Sequence, residues 1–514
     1  MSADRTPVIV GVGQFMEAPG TPGYAALGPV AIAAAAARAA IADAGAARPL
    51  APAIDVVATT RTFHDSVAIL ASPFGASNNF PRSIAKRVGA APRRAIWEDV
   101  GGNTPQDLVN EMSELLYAGG AQVVLLAGGE AMSTARHLQA TGGRADWSER
   151  IDGDVEDRRG DLAAILSEAE IRHRIFSIPP LYALAEHARR GRLGLSRAAY
   201  AVTMGELFAP FAAVAARNPY AVVRRAYSAA ELAAVTERNR MIADPYPRRL
   251  VARDQVNQGA ALLLTTVATA RAFGIPEKRW VFLHGYARAA ERPLLERGDL
   301  AGYAAAADAG RAALAAAGSS VAAVDFFDLY SCFPIAVTSV RDALGIAADD
   351  PRPLTVTGGL PFFGGPGNNY SMHAIASMVE KLRAQPGTLG FVGANGGILS
   401  KYSVGVYSTR ARPFAVGDSS SVQAGVDARP GVALTAQPRG RAVIETFTVI
   451  HGKDGRPAIG IVVGRLADGS RCLAATGKGD AATIAGLAAA AEPLGATIEV
   501  TPGGAGANRF TFAP

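Results

Sequence analysis

Cysteine and histidine are scarce in this chain of 514 residues, and their scarcity excludes several kinds of site. Its two cysteines, Cys332 and Cys472, are too few for a disulfide framework or a cysteine-rich zinc site. The seven histidines show no metal-ligand spacing, so we expect no bound metal. So little cysteine suits the reducing cytoplasm, where we expect the protein to reside.

Long hydrophobic runs and clustered charge are also lacking. No apolar run reaches the ~18 uncharged residues that a transmembrane helix requires, and the opening MSADRTPVIV lacks the basic and apolar regions of a signal peptide. The net charge of +6, from 51 basic and 45 acidic residues, is spread along the chain. Because nucleic-acid binding needs a clustered basic face, we expect neither a membrane span nor a nucleic-acid partner.

Strand and helix patterns alternate through most of the chain. Short β-branched runs alternate with helical runs in the first 130 residues and again beyond residue 280, which predicts a layered α/β fold. Strand-and-glycine features of the second stretch follow their counterparts by about 270 residues, which predicts a duplicated α/β half. We expect strands at 7–12, 54–59, 95–99, 123–127, 281–284, 324–329 and 389–392, and helices at 28–45, 79–88, 106–117, 301–317 and 370–382.

Three domains follow from this pattern. The first half spans residues 1–265 and contains a charge-rich helical insertion at 134–254; the second half spans 266–412. Long insertions at strand ends often shape a ligand site. A segment rich in proline, glycine and serine, 411–431, is interpreted as a linker. The remaining tail of the region 413–514 has short strands joined by tight turns, which favours a small β-barrel of the oligonucleotide/oligosaccharide-binding (OB) type.

The duplicated halves with a helical insertion resemble the thiolase superfamily. The extra tail and several altered blocks are similar to thiolase-like relatives of the sterol-carrier-protein thiolases, many of which are named acetyl-CoA acetyltransferases. Five blocks within residues 5–410 carry the resemblance: AGGEAMS at 127–133, NRMIADPYPRRL at 239–250 with QGAALLL at 258–264, FFDLYSCFP at 326–334, GGLPFFGGPG at 358–367, and VGANGGILSKYSVGVYS at 392–408.

The resemblance implies a fold, a ligand and an assembly. It implies two pseudo-duplicated halves in five layers and a pantetheine channel covered by the insertion. The implied ligand is a small-molecule coenzyme A thioester, with no covalently bound cofactor. Thiolases are at least dimers, whereas an extra domain could cover the shared surface, so both monomer and dimer remain open.

The three side chains that thiolase chemistry requires are missing. A cysteine at a helix N-terminus attacks the thioester, a histidine activates it, and a second cysteine moves the α-carbon proton. By resemblance, these positions hold Asn103, Gly365 and either Gly393 or Ala394. None of these residues can take the corresponding role, so we expect no ordinary thiolysis.

Some groups that could stabilise a thioester remain. Backbone N–H groups of Gly102-Asn103, at a helix N-terminus, and of Asn395-Gly396-Gly397 can point toward a thioester oxygen, or these glycines only allow the two halves to pack closely. The basic run 189–192 could meet the phosphates of coenzyme A, or it is a solvated helix end.

Three side chains are candidates for catalysis. Tyr330 falls where the family holds an oxyanion-hole residue, and its hydroxyl could act as an acid or base. Cys332 is either a catalytic thiol or a small buried residue, because its position is not that of the family's usual nucleophile. His373 could reach toward the missing histidine's place, or it packs or caps at the start of a helix.

Three functions are consistent with these residues. The leading hypothesis is a thiolase-like protein of the acyltransferase type that binds acyl-CoA or a related thioester. The first alternative is a retro-aldol thioester lyase with Tyr330 as acid or base, since some sterol side-chain aldolases resemble these thiolases and use tyrosines. The second alternative is a non-catalytic protein that binds CoA thioesters or acts as a scaffold.

Overall fold

The first half forms a six-stranded sheet. The computed structural model describes residues 3–66, 70–160, 166–477, 479–488 and 492–513. The sheet has the order β1-β8-β4-β2-β3-β5. Its elements before the insertion are β1 (Pro7–Met16), α1 (Pro29–Asp43), β2 (Val56–Thr59), α2 (Phe63–Ser66), α3 (Phe80–Val88), β3 (Arg94–Trp97), α4 (Thr104–Tyr117) and β4 (Val123–Ala131).

The insertion is mainly helical and returns to the same sheet. Its elements are α5 (Met132–Thr141), β5 (Glu156–Asp157), α6 (Glu168–Arg172), α7 (Pro179–Arg192), α8 (Arg197–Ala215), α9 (Ala229–Ala233), β6 (Met241–Ala243) and β7 (Tyr246–Pro247), and β8 (Asn257–Thr266) then completes the first half. By length and apolar composition alone α8 could cross a membrane, which is a weak indication, and its Tyr200, Phe208 and Phe211 are buried against the rest of the protein.

The second half repeats the first. Its sheet has the order β10-β11-β12-β9. In the first half β8 lies antiparallel between β1 and β4, and in the second half β12 lies antiparallel between β9 and β11. The predicted duplication is therefore confirmed. The elements are α10 (Val267–Ala272), β9 (Phe282–Ala290), α11 (Ala304–Ala316), β10 (Phe326–Leu329), α12 (Pro334–Leu344), α13 (Tyr370–Ala384), β11 (Leu389–Gly396) and β12 (Lys401–Ser408).

Five layers result from the way helices cover the two sheets. Helices α4 and α13 pack between the sheets, α1 and α3 cover the outer face of the first sheet, and α11 and α12 cover the second. A glycine lets each alanine-rich outer helix touch its strand: a side chain at Gly11 of β1 would collide with the backbone of Ala40, and one at Gly285 of β9 with that of Ala313. This repeated contact confirms the expected thiolase-type layering.

The outer edge of the first sheet is covered by the insertion. The short strand β5 pairs in parallel with β3, placing Glu156 beside Ile96. Arg158, just after β5, bridges Glu98 at 2.8 Å and Glu111 at 2.7 Å. Because these contacts occupy the edge, little of the β3 backbone is free to pair with another chain.

The segment expected to be a linker contains a helix, α14 (Ser419–Asp427). Asp418 caps it by accepting a hydrogen bond from the Ser421 N–H, and Val426 is buried. The helix packs on β9 and α11. Serine and glycine disfavour helices in isolation, so composition alone did not reveal a helix that capping and tertiary packing stabilise.

The tail forms a sheet together with two strands of the insertion. Its strands are ordered β15-β14-β13-β16-β17, and β6 also pairs with β13. No ladder joins β15 to β17 within the described residues, so an OB-type barrel is not confirmed. The elements are β13 (Gly440–His451), β14 (Pro457–Leu466), β15 (Arg471–Ala475), α15 (Ala481–Ala488), β16 (Thr497–Thr501) and β17 (Arg509–Phe512).

Buried charge joins the tail to the other domains. Arg190 of α7 forms an ion pair with Glu492, and Arg197 of α8 donates to the Leu487 carbonyl. Arg471 of β15 is 1% exposed and donates to the Leu295 carbonyl at 3.0 Å. These contacts tie the tail to both the insertion and the second half.

Candidate active site at the seam of the two halves

A cavity of about 530 Å³ lies where the two halves and the insertion meet, and we call it the seam cavity. It opens at the N-terminal end of α4 and is bounded by α7 of the insertion and by loops of the second half. Residues from all three parts line it, among them Gly101, Gly102, Ile178, Tyr182, Tyr330, Cys332, Phe333, Leu360, Gly365, Asn395, Gly396 and Lys401.

The start of α4 presents backbone rather than a side chain to this cavity. A side chain at Gly102 would collide with the Tyr330 hydroxyl, so glycine is required for the two halves to approach. The Gly101 N–H donates to Asn368 Oδ1 at 3.0 Å. Within the described ranges no partner is recorded for the N–H groups of Gly102 and Asn103. Of the two, Gly102 lines the seam cavity, so its N–H, at a helix N-terminus, is available to an anionic oxygen there.

Asn103 does not present its side chain to the seam cavity. Its Nδ2 donates to Asp107 Oδ2 at 2.5 Å, and its Oδ1 lies against Gly396, where any side chain would collide with it. Asn103 and Asp107 line a neighbouring cavity, which shares Asp99 and Lys401 with the seam cavity. Asn103, which by resemblance falls at the thiolase nucleophile position, therefore contributes no side chain to the described lining of the seam cavity.

A hydrogen-bonded network fixes Asn395 in the cavity wall. Tyr303 donates from its hydroxyl to Asn395 Oδ1 at 2.9 Å, and Asn395 Nδ2 donates to the Tyr182 hydroxyl at 2.9 Å. Tyr182 in turn donates to the Gly397 carbonyl at 2.8 Å. Asn395 Nδ2 also lies 3.8 Å from the Cys332 sulfur. The network makes the Asn395 amide a rigid part of the wall.

Cys332 is a poor nucleophile in this environment. It is 8% exposed, and burial raises the pKa of its thiol to about 12, although hydrogen bonds from Tyr182 and Asn395 oppose the rise. Since the thiolate is the reactive form, such a thiol is almost entirely unreactive at neutral pH. Of the described residues that line this cavity, Cys332 is the only one that carries a thiol.

Tyr330 contributes a hydroxyl without a protein partner within the described ranges. Its ring contacts Tyr370 edge-on, with ring centroids 5.2 Å apart. Burial, with a smaller effect of Cys332, raises the pKa of the Tyr330 hydroxyl, so the group stays protonated at neutral pH. Tyr330 can therefore donate a hydrogen bond or a proton to an oxygen bound in the cavity.

His373 lies inside the protein and not among the recorded residues of the seam cavity. Its Nδ1 pairs with Gln14 Oε1 at 2.8 Å across the two halves. Burial lowers the pKa of the ring to about 3, so His373 is neutral at physiological pH. His373 therefore serves as a packing residue of α13.

The positions that by resemblance correspond to the thiolase histidine and second cysteine carry glycine or alanine and no functional side chain. Gly365 lines the cavity, and its N–H donates to the Arg253 carbonyl at 2.7 Å. Gly393 and Ala394 lie in β11, and a side chain at Gly393 would collide with the Tyr402 hydroxyl. None of the described residues that line the seam cavity is a histidine.

A buried carboxyl group holds α7 against the second half, and sequence reasoning missed it. Glu186 is fully buried and accepts from the Tyr246 hydroxyl at 2.6 Å and from the Ile335 N–H of α12 at 2.7 Å. Tyr182 lies one helical turn earlier, so this anchor positions it in the cavity. The four-residue spacing of Tyr182 and Glu186, which puts both side chains on one face of a helix, was visible in the sequence.

A second cavity, of about 290 Å³, adjoins the seam cavity, and we call it the arginine pocket. It shares Val251, Ala252 and Asp254 with the seam cavity. No ion pair is recorded for its arginines among the described residues, and Arg253 Nε is buried without a partner. The arginines are Arg238, Arg248, Arg249 and Arg253.

The basic run 189–192 is used differently from these arginines. Arg189 pairs with Asp342 at 2.8 Å, Arg190 with Glu492, and Arg192 with Asp299 at 2.8 Å. The run therefore joins domains and surface groups, whereas the arginines of the arginine pocket form no ion pair among the described residues.

Comparison with known proteins identifies relatives over the whole chain and over the tail. Residues 421–505 match the additional C-terminal domain of thiolase-like protein type 1. The chain is 45% identical to a monomeric SCP2-thiolase-like protein type 1 from Mycobacterium smegmatis, with full coverage of both chains and a TM-score of 0.85. No curated protein sequence matches significantly.

More distant structures share the fold. The Ltp2–ChsH2(DUF35) aldolase is 18% identical, with 79% of this chain and 98% of that chain covered and a TM-score of 0.58. Acetyl-CoA acetyltransferase from Syntrophomonas wolfei is 18% identical, with 79% and 99% covered and a TM-score of 0.54. At this identity the similarity shows the fold alone.

The raised pKa of Cys332 predicts slow alkylation of the native protein. An ordinary thiol, of pKa about 8.5, is partly ionised at pH 8, whereas a pKa of about 12 leaves roughly 10⁻⁴ as thiolate. Iodoacetamide labelling, followed by peptide mass spectrometry, should be slow at pH 8 and rise about tenfold per pH unit up to pH 10. Urea-unfolded protein is the control and should react rapidly. Labelling of native Cys332 that reaches a plateau below pH 8 would contradict the assignment.

Proposed function

Because the chain belongs to the type 1 SCP2-thiolase-like proteins, we propose that it binds acyl-CoA or a related thioester in the seam cavity and carries out no ordinary thiolysis. One observation carries the proposal: Asn103, which by resemblance falls at the nucleophile position, contributes no side chain to the described lining of an open cavity. The space for a thioester persists, while the group that would form the covalent intermediate does not.

The chemistry left in the cavity is non-covalent. Its donors are the Gly102 N–H at the start of α4 and the Tyr330 hydroxyl, since the Asn395 amide is already paired with protein groups. Such donors bind and polarise a thioester oxygen. Acyl transfer through the enzyme additionally needs a nucleophile and a base, and these side chains supply neither.

The arginine pocket supports coenzyme A as the anionic part of the ligand. Coenzyme A carries phosphate groups at one end and its thioester at the other, and guanidinium groups bind phosphates strongly. The shared wall at Val251 and Ala252 would let one extended molecule place its phosphates by Arg248 and Arg253 and its thioester by Tyr330.

Calorimetric titration with coenzyme A tests this placement. Replacing Arg248 and Arg253 together by alanine should weaken binding about 10- to 100-fold and reduce its salt dependence, because two charged contacts are lost. The matched control is Arg439→Ala, an exposed arginine of the tail, which should bind as the wild type does. Equal affinities in all three proteins would contradict this location. A folded wild type that binds no coenzyme A at millimolar concentration would instead support the scaffold hypothesis.

A retro-aldol lyase is the second candidate function, and the unpartnered Tyr330 hydroxyl favours it. In a 3-hydroxyacyl-CoA, a carboxylate along the cavity such as Asp254 would take the hydroxyl proton, the bond between C2 and C3 would break, and a ketone or aldehyde would leave. The electron pair moves to the thioester enolate, which Tyr330 would protonate at C2 while the Gly102 N–H holds the oxygen. The proton held by Asp254 would afterwards return to the Tyr330 oxygen, directly or through water.

Tyr330→Phe separates this activity from binding. With a 3-hydroxyacyl-CoA branched at C3, ketone release should fall by about 10²- to 10⁴-fold while the dissociation constant changes little. The control is Tyr402→Phe, which removes another buried hydroxyl that has no hydrogen-bond partner among the described residues and does not line the seam cavity. Ketone release that is unchanged in Tyr330→Phe, or absent from the wild type, would contradict the lyase hypothesis.

We also propose that the protein is a cytoplasmic monomer. The covered β3 edge removes one route to strand pairing between two copies, and the similar M. smegmatis protein is described as monomeric. Both cysteines are free and buried, which suits a reducing compartment.

A further inference from the structure

A separate cavity of about 300 Å³ lies in the first half, and we call it the indole pocket. The short helix α2 separates it from the seam cavity. Phe63 and Ser66 of α2 line the seam cavity, whereas His64 and Asp65 line the indole pocket. The two cavities share no recorded lining residue.

Aromatic rings form the walls of the indole pocket. Trp97 stacks on Phe80 with ring centroids 6.2 Å apart and planes 15° from parallel. The Arg61 guanidinium covers Trp97, 4.4 Å from the ring centroid. Trp147 lines the same cavity. These rings provide a rigid surface for a flat, apolar molecule.

Two ring nitrogens in this pocket are buried without a partner. Trp97 is 5% exposed, and neither its Nε1 nor His64 Nδ1 has a hydrogen-bond partner among the described residues. A buried polar atom that makes no hydrogen bond lowers stability, so a molecule in the pocket that pairs with these nitrogens would be favoured. Indole Nε1–H can only donate, while a neutral imidazole offers one accepting nitrogen.

The charges around the pocket disfavour an anion. Of its carboxylates, Asp65 pairs with Arg159 at 3.1 Å and Glu149 with Arg87 at 2.7 Å. Asp146 has no cationic partner within the described residues. Burial lowers the pKa of His64, so the imidazole adds no positive charge at neutral pH. A ligand that carries both an acceptor and a donor without net charge suits these groups.

We propose that the indole pocket binds a small, uncharged, planar aromatic molecule with a carboxamide or lactam edge. The carbonyl oxygen accepts from Trp97 Nε1–H, the amide N–H donates to His64 Nδ1, and the ring packs against Trp147. The cavity is of the size that accommodates a one- or two-ring ligand. This proposal is independent of the proposed thioester function.

The three tryptophans of the chain allow a direct test by NMR. In ¹⁵N-labelled full-length protein, titration with benzamide and with nicotinamide should shift the indole signals of Trp97 and Trp147 saturably. The signal of Trp280, which is also buried with an unpartnered Nε1 but lines neither cavity, should stay in place. Benzoate, which has the same ring but a negative charge, should bind more weakly than benzamide.

Two variants complete the test. Trp97→Phe keeps an aromatic ring but removes the N–H, and should weaken benzamide binding about fivefold or more. Trp280→Phe removes the same group elsewhere in the core and should leave affinity unchanged, which controls for loss of packing. The proposal is overturned if neither amide shifts Trp97 at millimolar concentration, if benzoate binds as tightly as benzamide, or if Trp280→Phe weakens binding as much as Trp97→Phe.

Discussion

The close approach of Gly102 to Tyr330 and Asn395 is the contact on which the seam depends. No side chain fits at Gly102, because the Tyr330 hydroxyl and the Asn395 carbonyl occupy the space that its Cβ would take. The Asn103 side chain contacts Asp107 and Gly396 and is not among the residues that line the seam cavity. The described lining at this contact thus contains no Asn103 side chain, and Tyr330 supplies the hydroxyl there.

The insertion completes the site from a distance in sequence. Glu186 fastens α7 to the start of α12, and this attachment places Tyr182 beside Asn395 and Cys332. A buried carboxyl group with several donors is well satisfied, and loss of one partner is costly. The roof of the cavity is therefore built by a long-range contact between the insertion and the second half.

Local patterns predicted the layers better than the site. The alternation of strands and helices, and its repeat, follow from periodicity, and β1, β4, α4 and α13 lie close to their expected positions. The sequence did not predict helix α14, because capping and tertiary packing stabilise a segment whose composition disfavours a helix. Contacts between distant segments, which no local pattern contains, determine three features of the site and its surroundings. They are the orientation of the Asn103 side chain, the attachment of Glu186 to α12, and the ion pair of Arg190 with Glu492. The arginine pocket likewise draws on three separate segments.

We propose that this thiolase fold binds a thioester without a covalent route. Intact-mass spectrometry of wild type and Cys332→Ala after incubation with acetyl-CoA tests it most directly, together with an assay of acetoacetyl-CoA thiolysis. The account predicts unmodified mass for both proteins and no thiolysis, since the only thiol recorded along the described lining has a pKa of about 12. A stable acetyl adduct on the wild type that is lost in Cys332→Ala, accompanied by thiolysis, would contradict it and identify Cys332 as a relocated nucleophile.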